Sequence, residues 1–283
     1  MTAGVTGTGT GTGSGTGTGT GDTAAGRASI RQRTLRSDRW WVTPTIYGLT
    51  LLVVGGYLTY AVFSQGTAAR PSYFWEPYIS PMFSPCVTGN CPADVGWGWF
   101  PSIAPVTPAL IIIIFPAGLR ATCYYYRKAY YRSFFLSPPA CAVPEPHKRY
   151  KGEATFPLIV QNVHRYFFYI TLLFNGVLTY DAVIAFRDHQ GHWGHMGLGT
   201  LVLIVNAVLL WLYNLSCHSC RHAIGGRLRH FSRHPVRYWM WSQATRLNAR
   251  HAQIAWASLV WVAVTDLYIR LLAHGVFNDP RFF

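Results

Sequence analysis

The sequence predicts an all-α, polytopic membrane protein: a bundle of about five transmembrane helices with the N-terminus cytoplasmic and the C-terminus exterior. Three observations predict it. Half of the 283 residues are apolar or aromatic and only 12% are charged, about half the charged share of a soluble domain. Five stretches approach the roughly 20 apolar residues that a helix needs to cross a bilayer core. Basic residues fill alternate connections between those stretches, the pattern that sets membrane orientation. A soluble helical protein would have to bury all five segments in one core.

Residues 1–27 are a Gly/Thr tract with almost no apolar content. Such a tract buries too little surface to offset its ordering entropy, so it reads as a disordered tail without chemistry. No apolar signal-peptide core is visible there, and insertion is expected to begin with the first span. Residues 28–283 form the transmembrane domain, with helices expected at about 41–63, 105–126, 163–186, 196–213 and 252–273. The first is opened by Trp40 and Trp41 and carries Pro44 in its first turn; the second contains Ile111 to Ile114 in an unbroken run.

Loop charges fix the orientation. The N-terminal arm, the loop 120–165 and the loop 213–251 hold 5, 8 and 7 Lys/Arg, and everything else holds four. The net charge of +14 therefore belongs to one membrane face, and a nucleic-acid partner is not expected.

The six cysteines divide by side under this topology. Cys86 and Cys91 fall in the outer loop, inside a Pro- and Gly-containing turn sequence. An oxidising exterior favours a disulfide there over two free thiols. Cys123, Cys141, Cys217 and Cys220 lie at the cytoplasmic helix ends or in the inner loop. In a reducing compartment such a group reads as metal or redox chemistry, or as plain buried cysteine. Cys217 and Cys220 are three apart, and His218 and His222 four apart, so helical faces can present each pair. Two Cys with two His suit tetrahedral zinc or a Rieske-type [2Fe–2S] centre, and four Cys an ordinary [2Fe–2S] centre.

Haem b is less well supported. It needs axial His on facing transmembrane helices, and no His falls at a helix centre. His164 and His251 sit at the inner mouths of the third and fifth spans, where they read as an inner-face haem pair or, more simply, as interfacial His touching water or headgroups, and His189, His192 and His195 lie in the short outer loop. Asn175, Asp181, Asn206 and Asp266 fall within spans. The two acids lie toward the outer ends, as interfacial carboxylates or as part of a pathway. The two Asn read as interhelical hydrogen-bonding groups.

The inner loop carries a resemblance. Thr122-Cys123-Tyr124-Tyr125-Tyr126-Arg127-Lys128, Ser137-Pro138-Pro139-Ala140-Cys141, Glu145-Pro146-His147-Lys148-Arg149-Tyr150 and Cys217-His218-Ser219-Cys220-Arg221-His222 resemble the five-helix membrane-anchor subunit of actinobacterial succinate dehydrogenase. The likeness covers about residues 30–283. It implies a multi-pass protein of the bacterial plasma membrane. It also implies flavoprotein and iron–sulfur subunits as partners, with room for a further small membrane subunit, and docking of the iron–sulfur subunit on the cytoplasmic face. Electrons from succinate would pass to a menaquinone-type quinone, and this chain would hold no succinate site of its own. Many anchors of the wider family carry haem b on paired transmembrane His. This sequence departs from that pattern, which makes the Cys/His group the candidate for a replacement Rieske-type [2Fe–2S] centre.

The ligand set expected from spacing is Cys217, Cys220, His218 and His222, with Cys123, Cys141 and His147 as donors from across the bundle. Arg39, Trp40, His164 and His251 are the expected quinone contacts, because a quinone slot needs a few polar groups at an apolar helix mouth. The rival reading is a transporter or channel with a structural zinc site; it lacks the internal repeat of spans that would support it.

Overall fold

The computed structural model describes residues 36–67, 70–88, 91, 96–100, 107–143, 156, 158–188 and 190–282. The Gly/Thr tail, His147 and His189 lie outside them. Eight α-helices order the described residues: α1 (Val42–Phe63), α2 (Pro108–Thr122), α3 (Tyr124–Tyr130), α4 (His164–Ile184), α5 (Leu198–Leu215), α6 (His218–Gly225), α7 (Pro235–Asn248) and α8 (His251–Ala273). Four spans meet the length and composition needed to cross a membrane, and a fifth is reached when the bent pair formed by α2 and the α3 segment is taken as one broken span.

α1 shows what solvent the bundle expects. Leu49, Leu52, Val53, Tyr60 and Phe63 are all exposed, and apolar residues surround the helix with no polar face. A helix apolar all round belongs in lipid, where such side chains need no protein cover. α5 packs against α4 and α8, α2 against α4, and α1 against α8 and α3. Asn175 donates from α4 to the Leu210 carbonyl of α5 at 3.1 Å, as its interhelical reading requires; Asn206 Oδ1 is instead buried without a hydrogen-bond partner among the described residues, and Asn214, which was not singled out, approaches Thr171 Oγ1 through Nδ2 at 3.3 Å.

The second span differs from its expected extent. Thr107 caps α2 through its hydroxyl, which accepts from the Leu110 amide, and Pro108 occupies the first turn, where a missing N–H costs nothing. The helix then stops at Thr122 instead of continuing to 126. Cys123 is extended (φ −69°, ψ 134°), and the chain leaves at 76° along α3. Near the other basic connection, α6 and α7 are short surface helices in a segment that the sequence shows only as basic loop.

The opposite end is closed by small hairpins. β1 (Gly66–Thr67) pairs with β2 (Arg70–Pro71) and β3 (Phe74–Trp75) with β4 (Tyr78–Ile79), both antiparallel. β5 (Cys86–Thr88) runs parallel to β6 (Gly96–Phe100), and a disulfide joins Cys86 to Cys91. Beneath them, Asp266 is 0% exposed and Arg270 4%, which corrects the expectation that Asp266 meets water at the interface. Arg270 Nε donates to Asp266 Oδ2 at 2.7 Å, Tyr57 adds a bond of 2.6 Å to the same oxygen, and Ser80 donates to the other. Arg270 also donates to the carbonyls of Ser64 and Ala61 and to Ser72 Oγ. Asp279 ties the C-terminal segment to this end: it accepts from Tyr78, from Tyr268 and from the Gly199 amide. Gly199 is required by space, since a Cβ there would lie 2.3 Å from the Tyr78 ring.

Candidate metal centre

Four helix ends meet at the basic end, and each brings one donor. Cys123 stands at the break between α2 and α3, and Cys217 at the break between α5 and α6. Both are extended, with ψ of 134° and 143°, so each thiol leaves a helix where the backbone has left its hydrogen-bond ladder. His164 opens α4 and His251 opens α8. Cys123 Sγ lies 3.6 Å from His251 Nε2, and Cys217 Sγ 3.2 Å from His164 Nε2.

The hydroxyls beside the cysteines decide which imidazole nitrogen faces sulfur. Thr122 Oγ1 donates to the Gly118 carbonyl at 2.7 Å, so its single proton is taken. At 2.9 Å it can then only accept from His164 Nδ1. Ser216 Oγ likewise donates to the Tyr213 carbonyl at 3.0 Å and accepts from His251 Nδ1 at 2.7 Å. Both imidazoles therefore carry their proton on Nδ1 and turn an Nε2 lone pair toward a thiol. An outer partner of this kind is the usual accompaniment of a metal-ligating His.

The arrangement is reciprocal. The hydroxyl preceding Cys123 orients the imidazole that faces Cys217, and the hydroxyl preceding Cys217 orients the one that faces Cys123. The two pairs are thereby one unit. Burial pushes the Cys217 thiol up to about 11, with the neighbouring Cys123 thiol adding to the shift, so without a bound cation it stays protonated. Tyr213 stacks on His251 with ring centroids 5.1 Å apart.

The donors stand as two thiol–imidazole pairs. Among the described residues, no three His, Cys, Asp or Glu side chains converge as ligands of one metal ion. Two pairs of donors are what a binuclear cluster asks for. Each observed pair joins one thiol to one imidazole; Rieske ligation, with thiols on one iron and imidazoles on the other, would need the four to re-pair.

The spacing-based ligand set is divided by the fold. Cys217 enters the unit, and Cys220 is buried in the same apolar cluster as Cys123 and Cys217 without a hydrogen bond to either imidazole among the described residues. His218 and His222 bond each other at 2.9 Å on the exposed side of α6. Cys141 is exposed, beside Arg132. Of the expected quinone contacts, Arg39 is exposed, Trp40 is half-buried, and neither lines a cavity described here; His164 and His251 belong with the thiols.

Next to the unit lies an apolar cavity of about 340 Å³, with Arg120, Tyr126 and Tyr213 in its wall and Asn175 and Asn214 among its few other polar residues. A second, polar cavity of about 780 Å³ opens beside His164, lined by Arg165, His218, His222, Arg227 and Arg237, with no acidic residue among the described ones. Thr122, Ser216 and Arg120 were not singled out by spacing. The signal for the first two was a hydroxyl residue directly before each cysteine. Arg120 had been counted as a loop charge and in fact sits inside α2.

A bundle of four to five candidate membrane spans with a buried Cys/His cluster at its basic end defines a polytopic helical membrane protein. Residues 42–275 match the family model of the actinobacterial succinate dehydrogenase subunit SdhC, and the chain belongs to that family. It is similar to a chain of the Mycobacterium smegmatis Sdh1 complex in the apo form, at 46% identity and a TM-score of 0.83. The match covers 91% of this chain and 96% of that one. No curated protein matches. The chain is thus a membrane-anchor subunit of a succinate dehydrogenase, as its inner-loop motifs implied.

Proposed function

We propose that this anchor docks the iron–sulfur subunit on its basic, cytoplasmic end and passes electrons from succinate oxidation to a menaquinone-type quinone in the plasma membrane. The single observation that carries the reading is the reciprocal Cys123/His251 and Cys217/His164 unit beside an apolar cavity. Those four residues would hold a [2Fe–2S] centre of Rieske type or close to it. Such a group supplies one-electron transfer, at a potential raised by His relative to all-Cys ligation. The chain's own part is to present two neutral imidazoles and two thiols in a dry pocket, and to give a flat ring an apolar slot beside them. The Arg- and His-lined polar cavity and the α6–α7 surface, with exposed Tyr238, Trp239 and Met240, supply the aromatic and basic contacts that interfaces favour.

Replacing Cys217 by Ser tests the centre. The substituted chain is expected to co-purify with its partner subunits, lose iron and an electron paramagnetic resonance signal, and lose quinone reduction. Full iron content with full quinone reduction would remove Cys217 as a ligand. A colourless, zinc-loaded complex would favour a structural ion instead. For the orientation, a phosphatase reporter fused after Phe283 is expected to be active outside the cell, and one inserted in the loop 221–250 inactive; the reverse result overturns it.

A further inference from the structure

Arg120 is a cation inside the bundle with no anion beside it. Its Nη1 donates to Tyr126 Oη at 2.6 Å, to Ser258 Oγ at 3.2 Å and to the Ala255 carbonyl at 3.4 Å. All three acceptors are neutral, and no carboxylate lies within ion-pairing distance among the described residues. Its guanidinium carbon stands 4.8 Å over the Tyr213 ring and 5.7 Å from the centre of the Tyr126 ring. Nε and Nη2 have no hydrogen-bond partner among the described residues, and Arg120 is part of the wall of the apolar cavity. An ionised group within membrane spans normally pairs with an opposite charge or marks a functional path. Here two donors of a guanidinium are unengaged at the wall of a cavity that is otherwise mostly apolar.

We propose that Arg120 is the residue that binds a carbonyl oxygen of the quinone in this cavity and offsets the negative charge that electrons bring to it. The inference rests on the quinone-reducing role proposed above and names the residue that recognises the substrate. The overall change takes two electrons from succinate oxidation and two protons, converting both carbonyl oxygens of the ring to hydroxyls. A guanidinium bonds a neutral carbonyl oxygen moderately and an electron-rich one much more strongly. Such a group favours the charged stage over the bound substrate, which raises kcat more than it lowers KM. Tyr126 and Tyr213 flank the same wall, and His251 stacks behind Tyr213, which places the cavity one aromatic ring away from the Cys/His unit.

The test starts with the intact complex and a photoreactive quinone analogue. Label on residues 116–126 is the expected result. Label elsewhere on this chain, with quinone reduction intact, overturns the role of Arg120 and leaves the proposed function standing. A complex that neither reduces quinone nor takes label anywhere on this chain overturns the proposed function itself. The substitution Arg120→Gln is expected to weaken binding of a quinone-site inhibitor about 10- to 100-fold, the worth of a charge-assisted hydrogen bond. It should lower kcat for quinone by more than it raises KM, with co-purification of the partner subunits and iron content unchanged. Arg120→Lys, which keeps the charge, should restore part of kcat. Unchanged inhibitor binding and kcat in Arg120→Gln would overturn the proposal. If Arg120→Gln fails to assemble, the labelling result on the unsubstituted complex decides.

Discussion

Two arginines lie inside this bundle, one toward each end, and the protein treats them in opposite ways. Arg270 meets Asp266 one helical turn away and is surrounded by carbonyls and hydroxyls from α1 and the hairpin region. Arg120 meets only neutral oxygens and two aromatic faces. Ionised side chains within membrane spans usually pair or mark a functional path, so both need a reason. At the disulfide end the reason is internal: the pair fastens α8 to α1 and to the loop that follows it. At the basic end the compensating charge is not supplied by the described part of the chain. The difference teaches where a membrane bundle is finished by its own side chains and where it is prepared to receive something else.

That contrast can be broken most directly at Asp266. Asp266→Ala leaves Arg270 buried without its anion, and removing one partner of a buried pair costs about 3–5 kcal/mol. Thermal unfolding of the purified complex should fall sharply, with Tyr57→Phe, which removes one donor to the same carboxylate, losing about 2 kcal/mol. If Asp266→Ala melts with the unsubstituted protein, the disulfide end is not held by this pair and the comparison fails.

A smaller effect sharpens the other side. Thr122→Val and Ser216→Ala remove the hydroxyls that fix the Nδ1 protons of His164 and His251. Loss of such an outer partner typically costs 10- to 100-fold in metal affinity. Each variant should therefore lose iron faster than the unsubstituted complex in a chelator challenge while folding and assembling normally. Equal loss rates would mean that the two hydroxyls serve helix capping alone.

The spans were legible because apolar length is a local property of sequence. The expected segments 41–63 and 252–273 lie within a residue of Val42–Phe63 and His251–Ala273. The break at Cys123 was not legible: a Thr-Cys-Tyr sequence continues an apolar run without any Gly or Pro to announce a stop. The site was half legible. Cys123, Cys217, His164 and His251 all stood among the candidates, but local spacing assigned them to different roles. Their partners are 128 and 53 residues away in the chain, and no helical periodicity relates positions that far apart. Spacing instead promoted Cys220, which packs in the same apolar cluster as Cys123 and Cys217, and His218 and His222, which bond each other beside His164. Arg120 was hidden by the counting rule itself, since a basic residue at the edge of a span looks like one more inner-loop charge.

The four donors at the basic end come from the α2–α3 junction, the start of α4, the α5–α6 junction and the start of α8. Any inorganic group seated on all of them would act as a cross-link among four of the five spans, closing loops of more than 30 residues at a single point. The disulfide end has its own fastening in Asp266, Arg270 and Asp279, so the two ends would mature on different schedules: one as the chain folds, the other only when the group arrives. Loading would then be felt as rigidity across the whole basic face, and a subunit without its cargo would carry a sealed disulfide end and a loose basic end for its partners to grip.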